Sequence, residues 1–327
     1  MRNRKKYTPM ALDSTSQAML EAMAALGMKP VHKSTVAEVR DGWRLQLPGF
    51  PIGPAFPMHS TWETHLPLTG RFLPLRIYTP TVWSTRWMVY FHGGGWTMGS
   101  VKESDWWVRR LAAALDANVV SVNYRLAPEH PYPAALEDAD AALAWVCSQA
   151  GDAPVIVAGD SAGGNIAASL VQRQHGHCAI AAQLLICPVL DADLGRASYL
   201  VKENQNFLST KAMQWFWDQY VPTGHDRANA NLSPLRNGSL DGLPKTVLIT
   251  AEHDVLKDEG TAYADALLAA GVEVLLREFP GQMHDFVVFP MDLPQAAAAM
   301  EFIVESMRSL DDLTPFLPDH THPPTAK

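Results

Sequence analysis

Cysteine is scarce in this chain, with three in 327 residues. So few, and an odd number, exclude a scaffold built on disulfides. Cys147, Cys178 and Cys187 lie in or beside apolar runs, which points to buried thiols in a reducing, cytoplasmic setting. Long apolar runs are missing as well. No stretch of about 18 apolar residues occurs, so no membrane span is expected. The basic start, Arg2, Arg4, Lys5 and Lys6, is not followed by the continuous apolar stretch of a signal peptide. Positive charge is in deficit: 26 Lys and Arg stand against 34 Asp and Glu, for a net charge of −8. That balance argues against a nucleic-acid partner. No internal repeat is visible. What is present is ordinary core material, 47% hydrophobic and 18% charged. The chain is long enough for one large α/β domain, with or without a small cap.

Apolar periodicity organises that material. From residue 87 the pattern alternates. Strands are expected at 87–91, 118–124, 154–158, 180–186, 246–250 and 272–279. Helices are expected at 106–117, 134–149, 165–173, 260–270 and 295–307. The alternation predicts a mostly parallel central sheet with helices on both faces. Ahead of it, 14–27 reads as an amphipathic helix with Ser14 or Thr15 as candidate cap. Thr35-Val36-Ala37-Glu38 fits a capping box. Residues 47–57 read as a loop, and 60–66 with 73–78 as a hairpin turning near Gly70. Residues 191–235 break the rhythm with an aromatic-rich helix around 207–217, for which Ser209 or Thr210 is a candidate cap. We expect this insertion and the N-terminal helices to form a helical lid over the C-terminal edge of the sheet. The expected division is 1–50 as an N-terminal cap segment, 51–190 and 236–313 as the core, 191–235 as a cap insertion and 314–327 as a frayed tail.

One stretch carries chemistry. Gly159-Asp160-Ser161-Ala162-Gly163 fits G-x-S-x-G and lies between a predicted strand and a predicted helix. Such a turn is too tight for side chains at its glycines and holds the serine out at the sheet edge, beside a helix N-terminus. A serine hydroxyl needs a base, and the base needs an orienting acid. Among twelve histidines, His284 lies in the loop after the last predicted strand, at the same sheet edge as Ser161. His92, His253, His320 and His322 have weaker positions. Asp254 follows the strand at 246–250, with Asp258 and Glu252 as rivals, and Asp258 falls where it could cap a helix. The chain order Ser161, Asp254, His284 is that of α/β-hydrolases. His92-Gly93-Gly94-Gly95-Trp96 follows strand 87–91 and offers N–H groups without side-chain obstruction. Gly94, Gly95 and Ala162 are the expected oxyanion donors. An imidazole base of ordinary pKa would put the acid limb of activity at about pH 6–7. The aromatic lid suggests an apolar pocket, with Trp96, Asp160, Phe207, Leu208 and Trp215 as candidate wall residues. His175-Gly176-His177-Cys178 has metal-ligand residue types but no further ligands in sequence.

Taken together, these segments resemble the bacterial hormone-sensitive lipase family (family IV) of carboxylesterases. The matching pieces are His92–Trp96, Tyr124-Arg125-Leu126-Ala127-Pro128-Glu129, Gly159–Gly164, Asp254-Val255-Leu256-Lys257-Asp258-Glu259 and Gly281-Gln282-Met283-His284, in the family's order. The resemblance implies an α/β-hydrolase fold with a helical cap. It makes Ser161 the nucleophile, Asp254 the acid and His284 the base, with His92 and Gly93 supporting the oxyanion loop. Val255 departs from the family's usual proline, leaving that turn less fixed. The implied activity is hydrolysis of short- to medium-chain acyl esters through an acyl-enzyme, without metal or organic cofactor. The implied partner is a small-molecule ester, and a homodimer is compatible with the family. The family also holds amidases and hormone receptors that lack the histidine present here. An amidase or formamidase, a lipase acting at lipid–water interfaces and a non-catalytic binding module are the alternatives.

Overall fold

The structure, a computed structural model, describes residues 10–25, 27, 29–46, 55–174, 179–289 and 294–308. The expected tail, most of the 47–57 loop and His175 to Cys178 lie outside these.

Eight strands form one sheet: β1 (Ser60–Leu68), β2 (Arg71–Thr79), β3 (Arg86–Phe91), β4 (Ala117–Val122), β5 (Val155–Asp160), β6 (Ile180–Ile186), β7 (Lys245–His253) and β8 (Val274–Met283). Their spatial order is β1-β2-β4-β3-β5-β6-β7-β8. The hairpin β1–β2 joins β4 antiparallel, and every pairing from β4 to β8 is parallel. The parallel strands read as apolar runs because both faces are covered. Alternate side chains enter opposite cores. Val89, Val120, Val157, Leu185 and Leu248 meet the helices α4 (Ala134–Ala150), α5 (Ser161–Arg173) and α8 (Lys257–Ala269). Met88, Val119, Ile156, Leu184 and Ile249 meet α3 (Asp105–Leu115) and α9 (Pro294–Arg308).

The N-terminal segment is bound to the end of the sheet. In α1 (Ser14–Ala25) the cap is Asp13, not Ser14 or Thr15. Asp13 Oδ1 accepts from Thr15 N at 2.9 Å and Ser16 N at 3.1 Å. A carboxylate reaches both free N–H groups, which either hydroxyl, already inside the turn, does not. The Thr35–Glu38 capping box forms in both directions at the start of α2 (Val36–Gln46), at 2.8 and 3.2 Å. The insertion holds a short α6 (Ala197–Leu200) and α7 (Thr210–Tyr220), which Ser209 caps by accepting from Ala212 N at 3.2 Å. Trp96, Trp217 and Tyr220 stack beneath α7, rooting it in the core.

Two expectations change. Cys147 is disulfide-bonded and Cys187 is the buried free thiol among the described residues, so three free thiols are not found. Asp258 does not cap its own helix; its Oδ2 accepts from Ser198 N at 2.8 Å, at the start of α6. No described helix is long and apolar enough to cross a membrane.

Arg125 of the Tyr124–Glu129 segment donates its backbone N–H (2.8 Å) and Nε (3.1 Å) to Asp138, a fully buried residue of α4 that Arg71 also contacts. Removing that carboxylate takes a buried partner from two partly buried guanidinium groups, of which Arg125 keeps Glu137 at 2.7 Å. Asp138→Ala is expected to cost about 2–4 kcal/mol, somewhat less than a fully buried pair because both arginines keep some hydration. Urea denaturation checks this, and an unchanged midpoint contradicts it.

Candidate active site

Ser161 stands where β5 ends and α5 begins, at φ +51°. Non-glycine residues rarely adopt that left-handed backbone, and it turns the side chain out of the strand-to-helix corner. The corner closes because residue 163 is glycine. A Cβ there would lie 2.0 Å from Phe91 O and 2.6 Å from His92 O. The helix starts at Ser161, four residues earlier than periodicity suggested, since two glycines and a buried asparagine hide the apolar pattern. Asn165 Nδ2 donates to Val189 O (3.0 Å) and Leu232 O (2.8 Å), fixing the first turn.

His284 Nε2 lies 2.9 Å from Ser161 Oγ, and Nδ1 lies 2.8 Å from Asp254 Oδ2. A carboxylate only accepts, so the neutral ring carries its proton on Nδ1 and turns the Nε2 lone pair to the serine. Asp254 is held in turn by Leu256 N, 2.9 Å from Oδ1. The turn after it does not need proline at 255. Ser198 Oγ donates to Val255 O at 2.6 Å, and Asn204 Nδ2 to Asp254 O at 3.2 Å. The rival acids are engaged elsewhere. Glu252 accepts from Met10 N (3.0 Å) and Gly281 N (2.7 Å), while Asp258 faces Ser198. His253 Nε2 faces Met10 O at 2.8 Å.

His92 packs within the glycine loop. Its Nδ1 lies 2.8 Å from Gly93 O, and its ring stacks on Tyr124, whose hydroxyl donates to His92 O at 2.7 Å. Burial lowers the His92 pKa to about 4, so the ring is neutral near pH 7 with Nδ1 as the donor. Gly94 and Gly95 have φ of +110° and +58°. A Cβ at 95 would lie 2.2 Å from the Phe216 ring. Ala162 is the second residue of α5, so its N–H has no acceptor within the helix.

Arg40 of α2 clamps this loop from outside. It donates to Thr97 O at 2.8 Å and Ala127 O at 3.0 Å, and grips Glu129 through both nitrogens at 2.7 Å. These hydrogen bonds hold the Glu129 carboxyl down to about 2.

The residues face a cavity of about 1260 Å³. Ser161, His284, Gly93, Gly94, Gly95 and three of the expected wall residues, Asp160, Phe207 and Leu208, line it. Trp96 and Trp215 are not among its lining residues. Trp96 is fully buried against Tyr220 and Trp217, and Trp215 packs edge-on to Phe216, which takes its place in the wall. An aromatic cluster in sequence marks the helix but not which rings turn inward. Phe207 lies nearly parallel to the His284 ring, centroids 6.4 Å apart. Val39, Met23 and Trp43 close the wall from the N-terminal segment.

Two residues escaped the sequence reading. Asp285 Oδ2 lies 3.2 Å from His284 Nε2, and the Tyr90 hydroxyl donates to Asp160 Oδ1. Burial pushes Asp285 up, while burial and the Asp285 charge push Asp160 up to about 8. Burial pulls the His284 pKa down, but the Asp254 and Asp285 carboxylates more than reverse this and leave it well above the ordinary imidazole value. Adjacency to His284 was the only sequence signal for Asp285.

Residues 88–288 match a family model described as an alpha/beta hydrolase fold. Carboxylesterase NlhH of Mycobacterium tuberculosis is 41% identical over 240 residues, 69% of this chain and 75% of that protein. The chain belongs to the hormone-sensitive lipase family of α/β-hydrolases. Other members agree along more of its length. The carboxylic ester hydrolase LipN of the same species is 36% identical over 309 residues, 89% of this chain and 81% of that one. A thermostable esterase from Pseudomonas putida superposes with a TM-score of 0.86 at 32% identity, over 95% of this chain and 100% of that one. The hormone-sensitive lipase segments read from sequence lie within or beside the matched region.

Gly163→Ala pushes a methyl group onto two backbone oxygens that cannot move aside. It is expected to destabilise the fold by more than about 2 kcal/mol and to remove activity even where protein folds. Denaturation beside an activity assay checks this, and a stable, active variant contradicts the corner geometry.

Proposed function

We propose that the protein is a serine carboxylesterase that hydrolyses short- to medium-chain acyl esters through an acyl-enzyme. The observation that carries this reading is the hydrogen-bonded line from Asp254 through His284 to Ser161, opening on a cavity beside the glycine loop. His284 Nε2 takes the Ser161 proton as Oγ attacks the ester carbonyl. Gly94, Gly95 and Ala162 N–H groups donate to the oxyanion. The imidazolium then protonates the leaving alcohol. Water, deprotonated by the same nitrogen, frees the acid. Asp254 keeps the ring in the useful tautomer and stabilises its charge. No step calls for a metal or organic cofactor.

The reading divides the chain into a core of 51–190 and 236–313 under a cap from 1–50 and 191–235. The cavity is larger than a short ester fills, so the optimum is expected toward medium acyl chains. A cytoplasmic location loses the support that three free thiols would give.

Hydrolysis of p-nitrophenyl esters of increasing acyl length, run beside Ser161→Ala, tests the proposal. The wild-type rate should peak toward medium chains, and Ser161→Ala should lower it by a factor on the order of 10⁶ with the fold intact. Absence of ester turnover alongside turnover of matched amides would favour the amidase reading instead.

The pH profile follows from His284. A base whose pKa is raised is protonated, and inactive, up to a higher pH. The acid limb of kcat/KM is therefore expected to have its midpoint above about 6.5, the ordinary imidazole value, rather than spanning 6–7. Asp285→Asn should move that midpoint down. A wild-type midpoint below 6.5 would contradict the effect of the two carboxylates.

A further inference from the structure

Asp285 is the carboxylate beside the base that the proposed reaction does not use. Its backbone is left-handed, φ +57°, a conformation that aspartate tolerates better than most residues. It is 8% exposed and lines the cavity. Oδ2 lies 3.2 Å from His284 Nε2, the nitrogen that also faces Ser161. Oδ1 is buried and has no hydrogen-bond partner among the described residues. A buried carboxylate oxygen without a donor is costly, and such an atom calls for an explanation. Asp160 and Tyr90, bonded to each other, line the same cavity. The cavity thus combines a carboxylate-bearing polar side with the apolar wall of Phe207, Leu208 and Phe216.

The direction of proton transfer says which half of an ester meets Asp285. The leaving oxygen must come within about 3 Å of Nε2 to be protonated. A carboxylate oxygen 3.2 Å from that nitrogen then faces the atoms one or two bonds beyond the leaving oxygen. A donor carried there reaches Asp285, whereas an anionic group would meet two carboxyl groups.

We propose that Asp285 is a specificity-determining residue, an acceptor subsite for the alcohol half of the ester. It selects esters of diols, polyols or amino alcohols, which carry a hydroxyl or ammonium group on the carbon next to the ester-bearing one. This rests on the serine-esterase reading of the same site.

The test compares kcat/KM for 2-hydroxyethyl acetate and 2-methoxyethyl acetate. The two exert a similar inductive pull on the leaving oxygen, and only the first donates. The wild-type protein should favour the hydroxyethyl ester by on the order of tenfold. Asp285→Gly, which suits the left-handed backbone, should bring the ratio to about one. Asp285→Asn should retain part of it, because the amide oxygen still accepts. A wild-type ratio near one overturns the subsite, even should the glycine variant fail to fold. A ratio unchanged in Asp285→Gly, with both esters slowed equally, also overturns it and leaves Asp285 acting through His284 alone. Failure on both acetates alongside turnover of the p-nitrophenyl esters overturns the subsite alone, whereas failure on both series removes the esterase reading, and the subsite with it.

Discussion

The contact between Ser161 Oγ and His284 Nε2 joins residues 123 positions apart at 2.9 Å. Much of the rest of the molecule serves to hold it. Neither atom is brought there by local sequence. β5 delivers the serine to the C-terminal edge of the sheet, and β8 delivers the histidine to the same edge three strands away, with β6 and β7 between. Parallel pairing keeps those ends in line. The tight corner at Ser161 then depends on an atom-scale approach, the Cα of Gly163 against the carbonyl oxygens of Phe91 and His92.

The electrostatic setting is less ordinary than that geometry. One imidazole faces two buried carboxyl groups, with a third nearby at Asp160, and each acid is restrained differently. Asp254 is anchored by the Leu256 N–H and keeps the tautomer. Asp160 is tied to Tyr90. Asp285 has an oxygen left over. The N-terminal segment supports this end of the sheet directly. Asp13 N donates to Gly281 O at 2.9 Å, and Gln282 Nε2 donates to Asp13 Oδ2 at 2.9 Å, just ahead of His284. With Arg40 holding the glycine loop, the segment that closes the cavity also braces the groups inside it.

The parts legible in sequence were those governed by local rules. Strand and helix placement along the chain followed from alternating periods, the capping box from a four-residue pattern, and the candidacy of Ser161, Asp254 and His284 from lying at strand ends. What stayed hidden depends on packing across distance. Trp96 and Trp215 were read as walls because aromatic rings suit an apolar pocket, but whether Trp96 is buried against Tyr220 and Trp215 packs on Phe216 is decided by which way α7 rotates. The proline missing at 255 looked like a loosened turn, yet Ser198 and Asn204, over fifty positions away, hold it. Asp285 could not be distinguished from a loop acid until its oxygen was placed beside Nε2. The disulfide at Cys147 is equally non-local, since periodicity says only that a cysteine is in an apolar setting.

The central claim is that Ser161 is the atom acylated during turnover. Treating the protein with a p-nitrophenyl phosphonate, which leaves a stable adduct on an activated serine, and locating that adduct by peptide mass analysis tests it most directly. The account predicts one adduct per chain, on the peptide carrying Ser161, formed in step with loss of activity. An adduct on another residue accompanying the same loss, or full activity with Ser161 modified, would contradict it.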